Sequence, residues 1–328
     1  MQPKSCTQML HCTSKKQVNR CVSRLDCVKD ATPIPFENHA LKSSRLVNGR
    51  RHSYTIGNSC ITMISFIRKL FRAPPTGPQA TVPDGQRIYA IGDIHGRRDL
   101  FAALIDAIDA DDENRVPCET TVILLGDLVD RGPDSAGVIT LARAWRARRR
   151  VRILTGNHEE VFLGSFEKTE VLRHLLRYGG RETLLSYPID PETYTSANLA
   201  ETQELMRAAI PAEDLIFLSS FEDQITIGDY LFVHAGIRPG VALEAQSLHD
   251  LRWIRQPFLD WPDRFGPVVV HGHTISTHAE FRHNRIGIDT GAYASGRLTA
   301  LGLEGTSRWL IEASDNDGAI RATQRGVP

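Results

Sequence analysis

Five times along this chain an apolar run of strand type ends in Asp, Asn or His beside glycine. The runs are IYAIGDIHG (Ile88–Gly96), TVILLGDLVDRG (Thr121–Gly132), VRILTGNHEE (Val151–Glu160), YLFVHAG (Tyr230–Gly236) and PVVVHGHT (Pro267–Thr274). An isolated Asp after a strand is ordinarily a turn former or a helix cap, and an isolated His ordinarily a satisfied polar group. Seven such residues at strand ends are a different matter, because open α/β sheets bind their ligands outside the carboxyl ends of the strands. Asp93, His95, Asp127, Asn157 and His158 are expected to collect at such an edge, with His234 and His273 joining from further along the chain. The glycines let the backbone turn sharply there.

The rest of the pattern is consistent with that edge. Between the first three runs lie helical stretches, one with Leu100, Leu104, Ile105 and Ile108 on a single face, and strand starts recur at about the 30-residue length of a βαβ unit. Residues 160–222 hold the longest gap between strands and read as a helical insert. After Tyr230 the strands are shorter: Val268–Val270, Ile286–Ile288, Leu298–Leu303 and Trp309–Glu312, all four expected to be antiparallel. The reading is an α/β half followed by a β-rich half.

Charge divides the chain. Residues 1–72 carry 13 Lys+Arg against 3 Asp+Glu, and the remainder 26 against 36. The acidic body offers no electrostatic reason to bind nucleic acid. Cys6, Cys12, Cys21, Cys27 and Cys60 fall in the basic segment at spacings that fit no zinc motif, with His11 and His39 irregularly placed. A single cysteine beyond it, Cys118, suits a reducing compartment, so a cytoplasmic setting is expected. No apolar stretch is long enough to span a bilayer; Cys60–Phe71 is short and punctuated by basic residues. The expected organisation is a basic extension and linker over 1–83, a catalytic domain over 84–314 and a tail over 315–328. The extension is either a disordered tail or untranslated sequence ahead of a start at Met63. Arg146–Arg150 reads as a solvated helix end.

The donors at the strand ends are hard oxygens and imidazole nitrogens, without thiolate. That set suits manganese, iron or zinc better than calcium, or than magnesium held by oxygen alone.

GDIHG, GDLVDRG, GNHE, VHAG and HGHT, in that order, resemble the calcineurin-like metallophosphoesterases, and among them the bacterial phosphoprotein phosphatases. The resemblance spans about Arg87 to Ser314. It implies an α/β metallophosphoesterase fold, a central β-sandwich of mixed sheets flanked by helices. It also implies two divalent metal ions, with manganese the usual activator and iron or zinc fitting the same ligands. Asp93 and His95 would hold the first metal, Asp127 would bridge, and Asn157, His234 and His273 would complete the second. A metal-bridging hydroxide would attack phosphorus directly, without a phosphoenzyme. His158 would be the general acid, Asp130 would hold its imidazole, and Arg131 and Arg255 would grip phosphate, with Arg252 the other candidate for the second arginine. Glu159 and His271 read as supporting groups, and Tyr293 as a border of the site. The substrate would be a phosphorylated protein or a small phosphoester, and no stable membrane insertion is expected. Asp130 favours a Ser/Thr protein phosphatase, because bacterial symmetrical bis(5'-nucleosyl)-tetraphosphatases commonly read GDLVARG where this chain has GDLVDRG. Diadenosine tetraphosphate hydrolysis is the alternative, and a non-catalytic binding protein on the same fold a third.

Overall fold

Strands β1 (Gln86–Ile91), β2 (Glu119–Leu124) and β3 (Val151–Ile153) run parallel, and helices α1 (Arg98–Glu113) and α2 (Ser135–Arg148) connect them. The architecture comes from a computed structural model, which describes residues 79–327. The readings made for the basic segment, its cysteines and Met63 lie outside the described residues. Six strands form the first sheet in the order β11-β10-β9-β1-β2-β3, where β9 is Arg297–Glu304, β10 Ser307–Asn316 and β11 Ala319–Gly326. Five more form the second, in the order β4-β5-β6-β8-β7: Gln224–Ile227, Tyr230–Val233, Val268–His271, Arg285–Gly287 and Glu280–Phe281.

Alternation along β1 explains the unbroken apolar run. Ile88 and Ala90 point between the sheets, where they meet Ile225, Phe232, Val270 and Ile286. Tyr89 and Ile91 point the other way, onto Leu104, Ile108 and Trp145 of α1 and α2. Burial on both faces is the rule for parallel strands under crossover helices, and it removes the polar half of the usual alternation. The outer face of the second sheet is covered by Leu251 and Ile254, from and just after α9 (Leu248–Trp253), together with Phe258.

The helical segment after β3 is built of α3 (Asn157–Gly164), α4 (Thr169–Arg177), α5 (Gly180–Leu185), α6 (Pro191–Ser196), α7 (Leu199–Ala209) and α8 (Ala212–Leu218). Among the described residues a 3-10 turn covers Leu243–Ala245, and the last α-helix is α10 (Ala292–Ser295). Among the described residues no helix is long and apolar enough to cross a membrane.

Several sequence expectations are corrected. β6 and β8 pair in parallel, as do β5 and β6; short strands with apolar runs carry no direction in their composition. The chain's later strands are shared between both sheets, so the two halves of the sequence do not map onto two halves of the structure. The stretch read as a tail from 315 carries β11, an edge strand paired along its length with β10; its exposed polar residues hid it. Ala80 and Val82, read as linker, are buried in the core between the sheets. The arginine run is not simply solvated: Arg148 and Arg149 pair with Asp109, Arg149 also with Asp112, and Arg150 with Glu119.

Trp145 is fully buried and meets Phe101 edge-on at 5.9 Å. Trp145→Ala is expected to lower unfolding stability by about 3–5 kcal/mol through the cavity it leaves, as measured by urea denaturation.

Candidate metal centre

The carboxyl ends of β1, β2, β3, β5, β6 and β8 meet at one edge, where the two sheets share a rim. Six non-glycine residues among those described have a positive φ, and five lie at this rim: His95 (45°), Asp127 (50°), Asp130 (73°), Arg131 (70°) and His273 (61°). A left-handed residue with a side chain is uncommon and persists where its surroundings over-determine it. Glu159 supplies much of that constraint. Its buried carboxylate accepts the backbone N–H groups of Asp127 (2.8 Å), Leu128 (2.7 Å) and Gly156 (2.9 Å). Burial, and then the charge of Asp127, pushes its pKa up to about 7 against those hydrogen bonds. It is a buckle for the Asp127 turn rather than a ligand. Two glycines are required by space: a side chain at Gly156 would strike the Asp127 carboxylate, and one at Gly272 the Asp93 carboxylate.

Backbone carbonyls orient two of the imidazoles. His95 Nδ1 lies 2.8 Å from the Val129 carbonyl and His234 Nδ1 2.8 Å from the Leu125 carbonyl. Each Nδ1 therefore carries the proton, and each Nε2 turns a lone pair inward. The His95 lone pair meets the Arg131 guanidinium at 2.8 Å as well as an acceptor, and the His234 lone pair meets acceptors. His95 Nε2 and His234 Nε2 each lie 3.5 Å from an Asp127 oxygen, and His234 Nε2 lies 3.0 Å from Asn157 Oδ1. Asn157 Oδ1 also sits 2.8 Å from His273 Nδ1, while His273 Nε2 is buried with no partner. His234 Nε2, Asn157 Oδ1 and the Asp127 oxygen are acceptors that converge in this way, and they repel unless a cation lies among them.

The carboxylates lead to the same requirement. Asp93, Asp127 and Asp289 are all buried. Burial, then Asp289 and Asp127, drives the Asp93 carboxyl well above its usual range. Burial likewise raises Asp289 to about 6. Asp127 goes the other way: burial pushes it up, but the surrounding imidazoles outweigh that, and among them His158 is the ring favoured in its charged form. Such a concentration of buried negative charge is costly without compensating cations.

Two groups able to hold a metal share Asp127: His95, Asp127 and His158, and Asp127, His234 and His273. The donor set thus fits two divalent ions. The grouping differs from the sequence expectation in two respects. His158 falls in the first group although it reads as an acid. Asp93 falls in neither, its carboxylate accepting the backbone N–H of His273 at 3.0 Å.

Protonation separates the imidazoles. Burial lowers His95 to about 3 and His273 to about 2, and also lowers His234, so all three are neutral, the form that binds metal. His158 is raised: burial opposes its charge, but Asp127 and Asp130 outweigh burial. Asp130 Oδ2 lies 2.6 Å from His158 Nδ1. The Arg131 guanidinium reaches His95 Nε2 (2.8 Å) and His158 Nε2 (2.9 Å) and lies 4.9 Å from the Tyr293 ring centroid, so Tyr293 does border the centre. Arg252 is bound to Glu160 and Asp223. Arg255 is exposed, has no carboxylate partner among the described residues, and contributes to lowering His273. His271 is turned away, toward Arg285.

Sequence reasoning missed Asp289. Its signal was present, since IGIDTG is a sixth apolar run ending in Asp near glycine.

The profile of the calcineurin-like phosphoesterases matches residues 86–298, and the chain belongs to that family. A symmetrical bis(5'-nucleosyl)-tetraphosphatase of Paracidovorax citrulli is 30% identical over 162 residues, covering 49% of this chain and 48% of that one, so about half of that relative's length is spanned. An asymmetrical bis(5'-nucleosyl)-tetraphosphatase, PrpE of Bacillus subtilis, is 27% identical over 64% of this chain and 87% of its own. A zinc-dependent endopolyphosphatase of Saccharomyces cerevisiae is 24% identical over 64% and 74%.

Metal-free protein is expected to gain thermal stability on adding manganese or zinc, by about 2.7 kcal/mol at a hundredfold excess over Kd. Differential scanning calorimetry should show the gain, and Asp127→Asn should abolish most of it.

Proposed function

We propose that this chain hydrolyses the phosphoanhydride chain of dinucleoside tetraphosphates, using two divalent metals and a histidine acid. The observation that carries the chemistry is the division of the imidazoles: three neutral rings facing Asp127 and Asn157, and one, His158, favoured in its charged form by Asp130. Asp93, His95, Asp127, Asn157, His234 and His273 would hold the metals, which supply Lewis acidity and water acidified toward neutral pH. Arg131 would turn its planar fork from the imidazoles to phosphate oxygens, a geometry that suits bidentate contact, and Arg255 would meet the phosphate chain from the solvent side. As the water oxygen bonds to phosphorus, the bridging P–O bond opposite breaks. His158 passes its Nε2 proton to the departing oxygen, and solvent recharges the ring.

The substrate class rests on the relatives. Bis(5'-nucleosyl)-tetraphosphatases of both the symmetrical and asymmetrical kinds are similar to this chain. That weighs against taking Asp130 as the mark of a protein phosphatase, and the order of preference read from sequence is reversed here. The second reading, a Ser/Thr phosphoprotein phosphatase, keeps its footing on one observation, the close His158–Asp130 pair at 2.6 Å.

Comparing kcat/KM on diadenosine tetraphosphate with kcat/KM on a phosphoserine peptide separates the two readings. The dinucleotide is expected to be preferred, and a preference for the peptide restores the protein phosphatase. His158→Asn should keep its metals and lose about 10²–10⁴ in kcat on an ester with a poor leaving group. The loss should be far smaller on 4-nitrophenyl phosphate; equal losses would remove His158 as the acid. Asp127→Asn should lose metal content and turnover together, as read by elemental analysis beside kinetics.

A further inference from the structure

We infer that Thr183, on helix α5 of the helical segment after β3, is a positioning residue for the acid, holding Asp130 so that Asp130 can hold His158. The inference rests on the reading of His158 as the acid. Asp130 is buried and has two carboxylate oxygens to satisfy. Oδ2 takes His158 Nδ1 at 2.6 Å, and Oδ1 takes the Thr183 hydroxyl, also at 2.6 Å. The same hydroxyl oxygen lies 2.8 Å from the Asp130 backbone N–H and 2.9 Å from Ser135 Oγ. A hydroxyl has one proton to donate and two lone pairs to accept with. Thr183 uses all three: its proton goes to Asp130 Oδ1, and its lone pairs receive the Asp130 N–H and the Ser135 hydroxyl. Ser135 Oγ takes a share of the Asp130 N–H at 3.0 Å. Asp130, Ser135 and Thr183 are all fully buried, so water does not replace any of these bonds.

The backbone gives this clamp a reason. Asp130 and Arg131 are consecutive left-handed residues, at φ 73° and 70°. Neither φ is one that a residue with a side chain keeps unaided. The helical segment restrains both: Thr183 takes the Asp130 N–H, and the Gly179 carbonyl takes the Arg131 N–H at 2.9 Å. The segment is therefore built into the catalytic apparatus, aiming the acid's carboxylate through α5 and the arginine through the turn before it. A wall that only shaped substrate choice would not need a buried hydroxyl bonded to both the carboxylate and the backbone of one aspartate.

The test compares Thr183→Val, which matches the shape and lacks the hydroxyl, with Thr183→Ser, which keeps it. Turnover is measured on phenyl phosphate and 4-nitrophenyl phosphate with manganese-loaded protein. Thr183→Val is expected to lose about tenfold or more on phenyl phosphate, a fraction of a general acid's usual contribution, and much less on the activated ester. Thr183→Ser should recover most of the loss. In the His158→Asn background Thr183→Val should cost nothing further, because the path through the acid is already cut. A readout independent of turnover is the low-field proton resonance of His158 Nδ1 in the metal-free protein, expected to persist in Thr183→Ser and to shift upfield or vanish in Thr183→Val. Equal losses on both esters, an unchanged resonance in Thr183→Val, or a serine variant as impaired as the valine one would each overturn the inference. Thr183→Ala serves in place of valine if the valine variant does not fold. If His158→Asn itself loses evenly on the two esters, it is the acid reading that fails, and the resonance alone decides the clamp.

Discussion

The site depends on one buried carboxylate kept ionised. Asp127 stands at the end of β2 in a left-handed turn, shared by both groups that could hold a metal, with four imidazoles around it. Burial by itself would protonate it. The charge favoured on His158 supports its ionised form, and Glu159 fixes its turn by accepting the N–H groups of that turn and of Gly156. Remove Asp127 and the neutral histidines lose the charge they face. Remove Glu159 and three buried N–H groups lose their acceptor.

A second constraint divides roles among chemically identical rings. His95 and His234 give their Nδ1 protons to backbone carbonyls, which leaves Nε2 free to ligate. His158 gives its Nδ1 to a carboxylate instead, which favours a charged ring able to release a proton. Two carbonyls and one carboxylate thus divide three similar side chains into two neutral rings and one favoured in its charged form. The helical segment after β3 participates directly, since its residues restrain the loop that bears Asp130 and Arg131.

Much of the site was legible because its residues sit next to the elements that place them. A donor within a few residues of the end of a buried strand has its position set by that strand, so GDIHG, GDLVD, GNH, VHAG and HGH could be assembled from the chain alone. Asp289 followed the same rule and was overlooked. Groups brought in by distant contacts were not legible. Thr183 lies 53 residues from Asp130, and nothing in GGRETLL marks its hydroxyl as a partner. Strand direction was equally hidden: β6 and β8 run parallel because their connection returns the chain to the same end, a property of the path and not of VVV or RIG. The edge strand β11 escaped notice because, with so little of it buried, it has no apolar face to mark it.

By itself the sequence determined which chemistry was available: carboxylates, an amide and imidazoles, each tied to the end of an apolar run, with glycines where side chains would collide. Those are local properties, settled by neighbours in the chain. Only the tertiary structure decided how these groups share the work, which ring is neutral and which is favoured charged, and which arginine is already paired, as Arg252 is with Glu160 and Asp223. Protonation and pairing follow from burial and from charges a few ångströms away, and those distances exist only once strands and helices far apart in sequence have packed together.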